Sequence, residues 1–224
     1  MSIESYNNII QYCLLGKIEE ADEWYNRGVA LQDKEKYEEA ITCYDNAIKL
    51  NPKNSAAPRN NKGNSLYALE KYEEAITCHD ETIKLNPEDP TAWYNKGVAL
   101  NALEKYEEAI TCHDETIKLN PEDPTAWYNK GVALNALEKY EESIECYDET
   151  IKLDPEDTFA WTNKGASLYA LEKYEESIEC CDNAIKLDPE NLAAYNGKGN
   201  SLRKLGRDEE AEQCLAKARE LQQC

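Results

Sequence analysis

A period of 34 residues limits most strongly what this chain can fold into. The segment from Pro90 to Asp123 returns from Pro124 to Asp157 with four changes, so one supersecondary unit has been copied in tandem. Six repeats follow one another at residues 21–55, 56–89, 90–123, 124–157, 158–191 and 192–224. A repeat this short cannot bury its apolar surface alone, so neighbouring repeats must stack. We predict an N-terminal capping helix over residues 1–20 to cover the first of them.

The spacing of apolar residues within a repeat predicts two helices. In the third repeat, Trp93, Gly97 and Leu100 recur at intervals of three and four, which places them on one face of a first helix. A second stripe with the same spacing runs from Tyr106 to Ile117. The turn between the two stripes is short, so each repeat is predicted to be an antiparallel helical hairpin.

Several residue types recur at fixed places in the repeat. Trp or Tyr occupies the fourth place in five repeats, as Trp24, Trp93, Trp127, Trp161 and Tyr195. The eighth place is always glycine, as Gly28, Gly63, Gly97, Gly131, Gly165 and Gly199. With these markers the chain resembles the tetratricopeptide repeat family. The resemblance implies an all-α fold of the alpha-alpha superhelix class, a right-handed solenoid of stacked antiparallel hairpins. In that fold the first helices line a concave groove and the second helices form the convex wall.

The first junction departs from the period. The closing prolines Pro52 and Pro87 are 35 residues apart, and Arg59 stands at the fourth place of the second repeat, where Trp is expected. One interpretation is a bent or mobile junction. The other is a loop lengthened by one residue, with Arg59 lying along the surface by its aliphatic stem.

The charge of the chain excludes two classes of partner. The formal net charge is −20, so the chain would repel nucleic acid and anionic membranes. No apolar run approaches the roughly 18 to 20 residues that a membrane span needs, and the N-terminal segment lacks the pattern of a signal peptide. We therefore expect a cytoplasmic protein whose nine cysteines are reduced.

The groove implied by the resemblance is formed by places two, five, six, nine, twelve and thirteen of each repeat, and in repeats two to five these places carry no charge. The sixth place holds an amide in five repeats, and we call these residues the asparagine ladder: Asn26, Asn61, Asn95, Asn129 and Asn163. A side-chain amide both donates and accepts hydrogen bonds, which suits the backbone of an extended peptide. Two alternatives stay open: the asparagines recur only because the repeat was duplicated, or they bond the neighbouring helix.

Other residues complete the predicted peptide-binding site. They are Tyr25, Tyr94 and Tyr128 at the fifth place, with Asn64, Asn101 and Asn135 at the ninth and twelfth places. Tyrosine supplies flat amphipathic contact area in many interfaces, although these rings also suit half-packed wall positions. The seventh place carries a cation where the family usually has leucine, as Arg27, Lys62, Lys96, Lys130, Lys164 and Lys198. We expect these cations to reach carboxylates of adjacent helices.

The cysteines and histidines do not form a predicted metal or catalytic site. Six cysteines share the twenty-third place, as Cys43, Cys78, Cys112, Cys146, Cys180 and Cys214, and His79 and His113 follow two of them. A metal needs ligands within about 2.3 Å of one ion, whereas successive repeats lie about 10 Å apart. We therefore predict core packing for these residues, no metal, no cofactor and no enzymatic activity.

These observations predict an interaction scaffold that binds an extended peptide or partner protein segment, neutral to basic in charge, in the concave groove. The alternative is a self-assembling structural protein that forms homo-oligomers through end faces or by insertion into a neighbour's groove. A redox or metal enzyme using the cysteines and histidines is the third and weakest hypothesis.

Overall fold

A computed structural model describes the backbone of residues 3–222 and the side chains of residues 15–222. Over these residues the chain is all-α, as predicted. The helices are α1 (Ile3–Gln32), α2 (Tyr37–Leu50), α3 (Ala56–Ala68), α4 (Tyr72–Leu85), α5 (Pro90–Ala102), α6 (Tyr106–Leu119), α7 (Pro124–Ala136), α8 (Tyr140–Leu153), α9 (Thr158–Ala170), α10 (Tyr174–Leu187), α11 (Leu192–Lys204) and α12 (Asp208–Leu221), with a 3₁₀ turn at Pro52–Asn54. No helix in the described part of the chain has both the length and the apolar content to cross a membrane.

The chain divides into two compact parts, which we call the N-terminal half (Met1–Leu119) and the C-terminal half (Asn120–Cys224). In the N-terminal half each helix from α1 to α6 packs against the next, and α7 to α12 do the same in the C-terminal half. First helices also contact first helices, α1 with α3 and α3 with α5, then α7 with α9 and α9 with α11. Each half is therefore a stack of antiparallel hairpins, and the predicted solenoid fold class is confirmed.

The N-terminal segment differs from the prediction of a separate helix over residues 1–20. Helix α1 runs without a break from Ile3 to Gln32, so in the described residues this segment is the first part of the first helix of repeat one. The segment contains no proline, and Gly16 lies within the helix without ending it. The predicted capping role depends partly on side chains of residues 3–14, which lie outside those described, and it stays a prediction.

A tight turn joins the two helices of each hairpin. In repeat three the Lys105 N–H donates to Leu100 O at 2.9 Å and the Glu104 N–H donates to Asn101 O at 3.0 Å, which closes the end of α5. This turn needs one residue at positive φ, and five repeats place a glutamate there, with φ between 58° and 60°. These residues are Glu35, Glu70, Glu104, Glu138 and Glu172, and in repeat six the residue is Gly206.

The first junction takes up its extra residue in the 3₁₀ turn, so the loop is lengthened. Arg59 does not lie along the surface, because only 15% of its side chain is exposed. Its guanidinium donates to Pro52 O at 3.4 Å and to Glu81 at 2.8 Å. In repeat three the indole of Trp93 donates to Pro87 O at 3.0 Å. Arg59 therefore replaces the tryptophan as donor to the closing proline.

In each repeat the glycine at the eighth place packs against the side chain at the twenty-fourth place, which lies on the second helix. A Cβ added at Gly63 would lie 2.6 Å from the ring of His79, and one at Gly28 would lie 2.5 Å from the ring of Tyr44. Both rings are buried. The recurring glycine has no side chain, and the side chain from the second helix occupies the space that a Cβ would need. His79 is thus a core residue.

Candidate functional site

The predicted binding residues lie on first helices, and we call places two, five, six, nine, twelve and thirteen of each repeat the first-helix face. Asn26 is exposed on α1, whereas the other predicted site residues are half-buried. Within each half the first helices lie side by side, so residues of consecutive repeats meet on this face.

Three members of the asparagine ladder bond the preceding repeat. The amide of Asn61 donates to the hydroxyl of Tyr25 at 3.2 Å, and the amide of Asn163 donates to the hydroxyl of Tyr128 at 2.9 Å. The amide of Asn95 donates to Asn60 Oδ1 at 3.1 Å. Of the interpretations left open by the sequence, bonding to a neighbouring helix is therefore what the structure shows for these three residues.

Asn129, Asn135 and Asn101 make polar contacts within their own half. Asn129 donates from Nδ2 to Thr125 O at 2.9 Å, within α7. Asn135 donates to Ser167 Oγ at 2.6 Å, and Asn101 Nδ2 lies 3.3 Å from His113 Nε2. Asn64 is half-buried on α3. The amides thus help to join helices as well as lining the face.

The predicted tyrosines pack against the second helix of their own hairpin. The ring of Tyr25 lies 6.1 Å from that of Tyr44, and the ring of Tyr128 lies 6.0 Å from that of Tyr147. Tyr94 lies 6.1 Å from the ring of His113. Burial raises the pKa of the Tyr128 hydroxyl above its ordinary value. Each of these rings therefore has one side on the core and remains only half-buried.

The sequence prediction omitted one residue that the face exposes. Phe159 is the second residue of α9 and stands at the second place of repeat five. Its exposed fraction is 69%, the largest among the exposed large apolar side chains of residues 15–222. It is the only phenylalanine in the chain, at a place where other repeats have threonine, alanine or aspartate. A large aromatic residue at a place otherwise held by small or polar residues was the feature of the sequence that could have identified Phe159.

The cations of the seventh place bond carboxylates of the preceding second helix, which confirms the sequence prediction for four of them. The ion pairs are Lys62–Asp45 at 2.6 Å, Lys96–Asp80 at 2.7 Å, Lys164–Asp148 at 2.5 Å and Lys198–Asp182 at 2.5 Å. Burial lowers the pKa of Lys62, but the hydrogen bond to Asp45 and the electrostatic effects of Asp45, Cys78 and Glu81 together outweigh it, and the pKa is raised. These lysines are therefore charged and held between helices.

Charge appears on the first-helix face only in the terminal repeats. Repeat one carries Asp22 and Asp33 at places two and thirteen, and repeat six carries Arg203 and Lys204 at places twelve and thirteen. Arg203 lies 3.6 Å from Glu212 of α12. Repeats two to five present amides, hydroxyls and apolar groups.

The buried cysteines of the second helices lack the environment of reactive thiols. Burial raises the pKa of Cys78, Cys112 and Cys180 to about 11 and that of Cys181 to about 12. A thiol with so high a pKa is almost wholly protonated at neutral pH and is a poor nucleophile. In the part of the chain that the structure describes, no three His, Cys, Asp or Glu side chains converge to hold a metal ion.

Comparison with family models gives matches along the chain. A model described as tetratricopeptide repeat matches residues 21–54, 90–123, 124–157 and 158–191. A model described as TPR repeat matches residues 63–103, and a second tetratricopeptide repeat model matches residues 180–213. No curated protein matches the sequence.

Solved structures with the same arrangement of helices are numerous. The chain is similar to MamA from Desulfovibrio magneticus RS-1, with 26% identity, a TM-score of 0.71 and coverage of 75% of this chain and 95% of that one. It is similar to YrrB, described as a TPR protein with an unusual peptide-binding site, with 24% identity, a TM-score of 0.69 and coverage of 80% and 92%. A tetratricopeptide repeat protein from Parabacteroides merdae shares 19% identity with a TM-score of 0.77 and coverage of 89% and 78%.

Proposed function

The chain belongs to the tetratricopeptide repeat family and is a protein–protein interaction scaffold, and we propose that it holds an extended, neutral to basic segment of a partner protein against its first-helix faces. The observation that carries this proposal is the absence of charge from these faces in repeats two to five of a chain with net charge −20. The seventh-place lysines are tied to aspartates, while the second helices begin with acidic pairs such as Glu73 and Glu74. An extended backbone is neutral and polar, so it suits a surface of amides and tyrosines.

The bonds within the ladder are compatible with peptide binding. A side-chain amide has two N–H groups and two acceptor sites on its oxygen, and the bond from Asn61 to Tyr25 uses one N–H. The same holds for Asn163 and Tyr128. A bond to the neighbouring helix fixes the amide in one orientation, which lowers the entropy cost of a further contact. The fold is shared with YrrB, described as having a peptide-binding site, but the proposal depends on the residues of this chain.

The test is capture of peptides on an immobilised array of extended sequences without acidic residues. The variant Asn61→Ala with Asn95→Ala removes two ladder amides from the N-terminal half. We expect it to lose roughly tenfold in affinity for peptides that the wild type captures, because each lost hydrogen bond contributes about 0.5–1.5 kcal/mol. Asn46→Ala is the matched control, because it removes an amide from the second helix α2.

A further variant separates binding from structural support. Tyr25→Phe removes the hydroxyl that accepts from Asn61 but keeps the amide of Asn61. Tyr25→Phe should lower the free energy of unfolding, because it removes a hydrogen bond between repeats. If the amide of Asn61 contacts the peptide, the variant should still capture most of the peptide that the wild type captures. Unchanged capture by the double alanine variant contradicts the role of the ladder, and a wild-type chain that captures no peptide contradicts the proposed function.

A further inference from the structure

A cleft lies between α1 and α3 in the N-terminal half, with a volume of about 180 Å³. Its lining includes Asp22 and Tyr25 of α1, Ala57 of α3, and Asn51 and Asn54 of the first junction. Asp22 and Tyr25 are places two and five of repeat one, and Ala57 is place two of repeat two. The cleft therefore opens on the first-helix face.

The irregular junction shapes this cleft. The extra residue forms the 3₁₀ turn Pro52–Asn54, and the two amides at the rim, Asn51 and Asn54, flank or end that turn. The walls carry small side chains, Ala21 on α1 and Ala57 on α3. A lengthened loop and small walls leave space between two helices that contact each other.

We propose that this cleft takes the side chain of a lysine or arginine from the bound partner segment, with Asp22 as its counter-charge. The inference rests on the proposed function and identifies one side chain of the ligand. The volume supports a side chain, because pockets for free small molecules are typically about 300–1,000 Å³. The aliphatic part of a lysine or arginine side chain can pack against the alanines of the cleft, and its cationic end can reach the carboxylate of Asp22.

The charges and polar groups of the cleft favour a cation over other occupants. Asp22 is the one carboxylic acid among the lining residues, which include no lysine, arginine or histidine. The side-chain oxygens of Asn51 and Asn54 accept the N–H groups of an ammonium or a guanidinium. Asp22 is exposed before binding, so its attraction for a cation is reduced by added salt.

Tyr25 links the cleft to the asparagine ladder. Its hydroxyl accepts the amide N–H of Asn61, and its ring packs 6.1 Å from that of Tyr44. The ring is thus held at the wall of the cleft, where the methylene groups of a lysine or arginine can lie against it. A partner segment whose backbone contacts Asn61 can place a neighbouring side chain in the cleft.

The test uses a small probe, so that it does not depend on an identified partner. N-acetyl-lysine methylamide and its arginine counterpart are titrated into the ¹⁵N-labelled full chain, and backbone amide shifts are recorded. We expect millimolar binding with shifts concentrated at residues 21–25 and 51–58, and no such shifts with the norleucine analogue. Asp22→Asn should weaken this binding at least fivefold, and Ala57→Leu, which fills the cleft without changing its charge, should weaken it as well.

Two matched controls keep the test specific. Glu38→Gln removes a carboxylate from the second helix α2, and Ala216→Leu enlarges an exposed alanine on the second helix α12. Both should bind the probes like the wild type. Absence of shifts in the cleft, or equal binding by Asp22→Asn, overturns the inference. Peptide capture that persists in Asp22→Asn with no change in preference for basic residues also overturns it, while the proposed function stands.

Discussion

Glu104 lies at φ 59° in the turn after α5, whereas repeat six has Gly206 at the same place with φ 75°. An L-residue in the left-handed region costs about 1–2 kcal/mol, because Cβ approaches the following carbonyl oxygen. Glycine avoids this cost but loses roughly 0.5–1 kcal/mol more backbone entropy on folding. Five of the six hairpin turns therefore hold a glutamate in a strained conformation. In repeat six the glycine avoids this strain.

We predict that Glu104→Gly raises the free energy of unfolding by about 0.5–1 kcal/mol, the difference between these two effects. Chemical denaturation monitored by circular dichroism measures it. Glu107→Gly is the control, because it places glycine in the first turn of α6 and removes an acidic residue from the helix N-terminus, so it should lower stability. A loss of stability in Glu104→Gly would contradict the strain at this turn.

His79 is a second residue whose environment sets a measurable property. Burial lowers its pKa from 6.5 to about 4, so the folded chain keeps the imidazole neutral where the unfolded chain protonates it. The unfolded state therefore binds more protons between pH 6.5 and pH 4, and stability falls as the pH is lowered through this range. The loss from this residue amounts to at most about 3 kcal/mol.

The variant His79→Cys should remove this part of the pH dependence. It copies repeat five, where Cys181 lies against Gly165. The variant is expected to be less stable than the wild type at pH 7, because it leaves a small cavity. The informative quantity is the slope of unfolding free energy against pH between 6.5 and 4, which should become shallower. An unchanged slope would show that His79 does not titrate in this range.

At the scale of the elements, buried hydroxyls join the second helix of one repeat to the first helix of the next. Ser177 of α10 and Ser201 of α11 lie 2.9 Å apart through their Oγ atoms, and both are fully buried. Each of these two buried hydroxyls therefore has the other as a hydrogen-bond partner. At the corresponding places of repeats two and three the residues are Ala75 of α4 and Ala99 of α5, and both are fully buried.

A double-mutant cycle measures this pairing. Ser177→Ala and Ser201→Ala should each lower the free energy of unfolding by about 1 kcal/mol. The loss of unfolding free energy in the double variant should be about 0.5–1 kcal/mol smaller than the sum of the two single losses, because the hydrogen bond between the two hydroxyls can be lost only once. Strictly additive effects would contradict a direct interaction between the hydroxyls. Ala75→Ser should be destabilising by itself, since it introduces a buried hydroxyl opposite apolar groups.

Much of the fold was predictable at this scale, and some of the site was not. Spacings of three and four predict both helices of the third repeat, because each helix buries one stripe against its neighbour. The continuity of α1 was not predicted, because the period of 34 residues begins at residue 21 and does not show how the preceding segment joins the first repeat. The bond from Asn61 to Tyr25 joins residues 36 positions apart, so it depends on how repeats stack. The role of Arg59 as a donor to Pro52 O was not predicted either, because it depends on the conformation of the lengthened loop at the first junction.

Across the molecule, the acidic pairs of the second helices and the proposed binding faces lie on different helices. Acidic residues begin each of the helices α2, α4, α6, α8, α10 and α12, while the first-helix faces of repeats two to five are uncharged. Binding to these faces should depend weakly on salt, and a basic side chain near Asp22 should add a salt-dependent part. Self-assembly, the alternative expected from the sequence, predicts a mass that rises with concentration in light scattering.

The location of a bound peptide distinguishes binding on the first-helix faces from binding on the acidic second helices. A peptide captured on the array is added to the ¹⁵N-labelled chain, and its footprint is mapped by backbone amide shifts. The account predicts shifts concentrated on α3 and α5 in the N-terminal half or on α7 and α9 in the C-terminal half, with little change on α4 and α8. A footprint concentrated on α4 or α8 would contradict it.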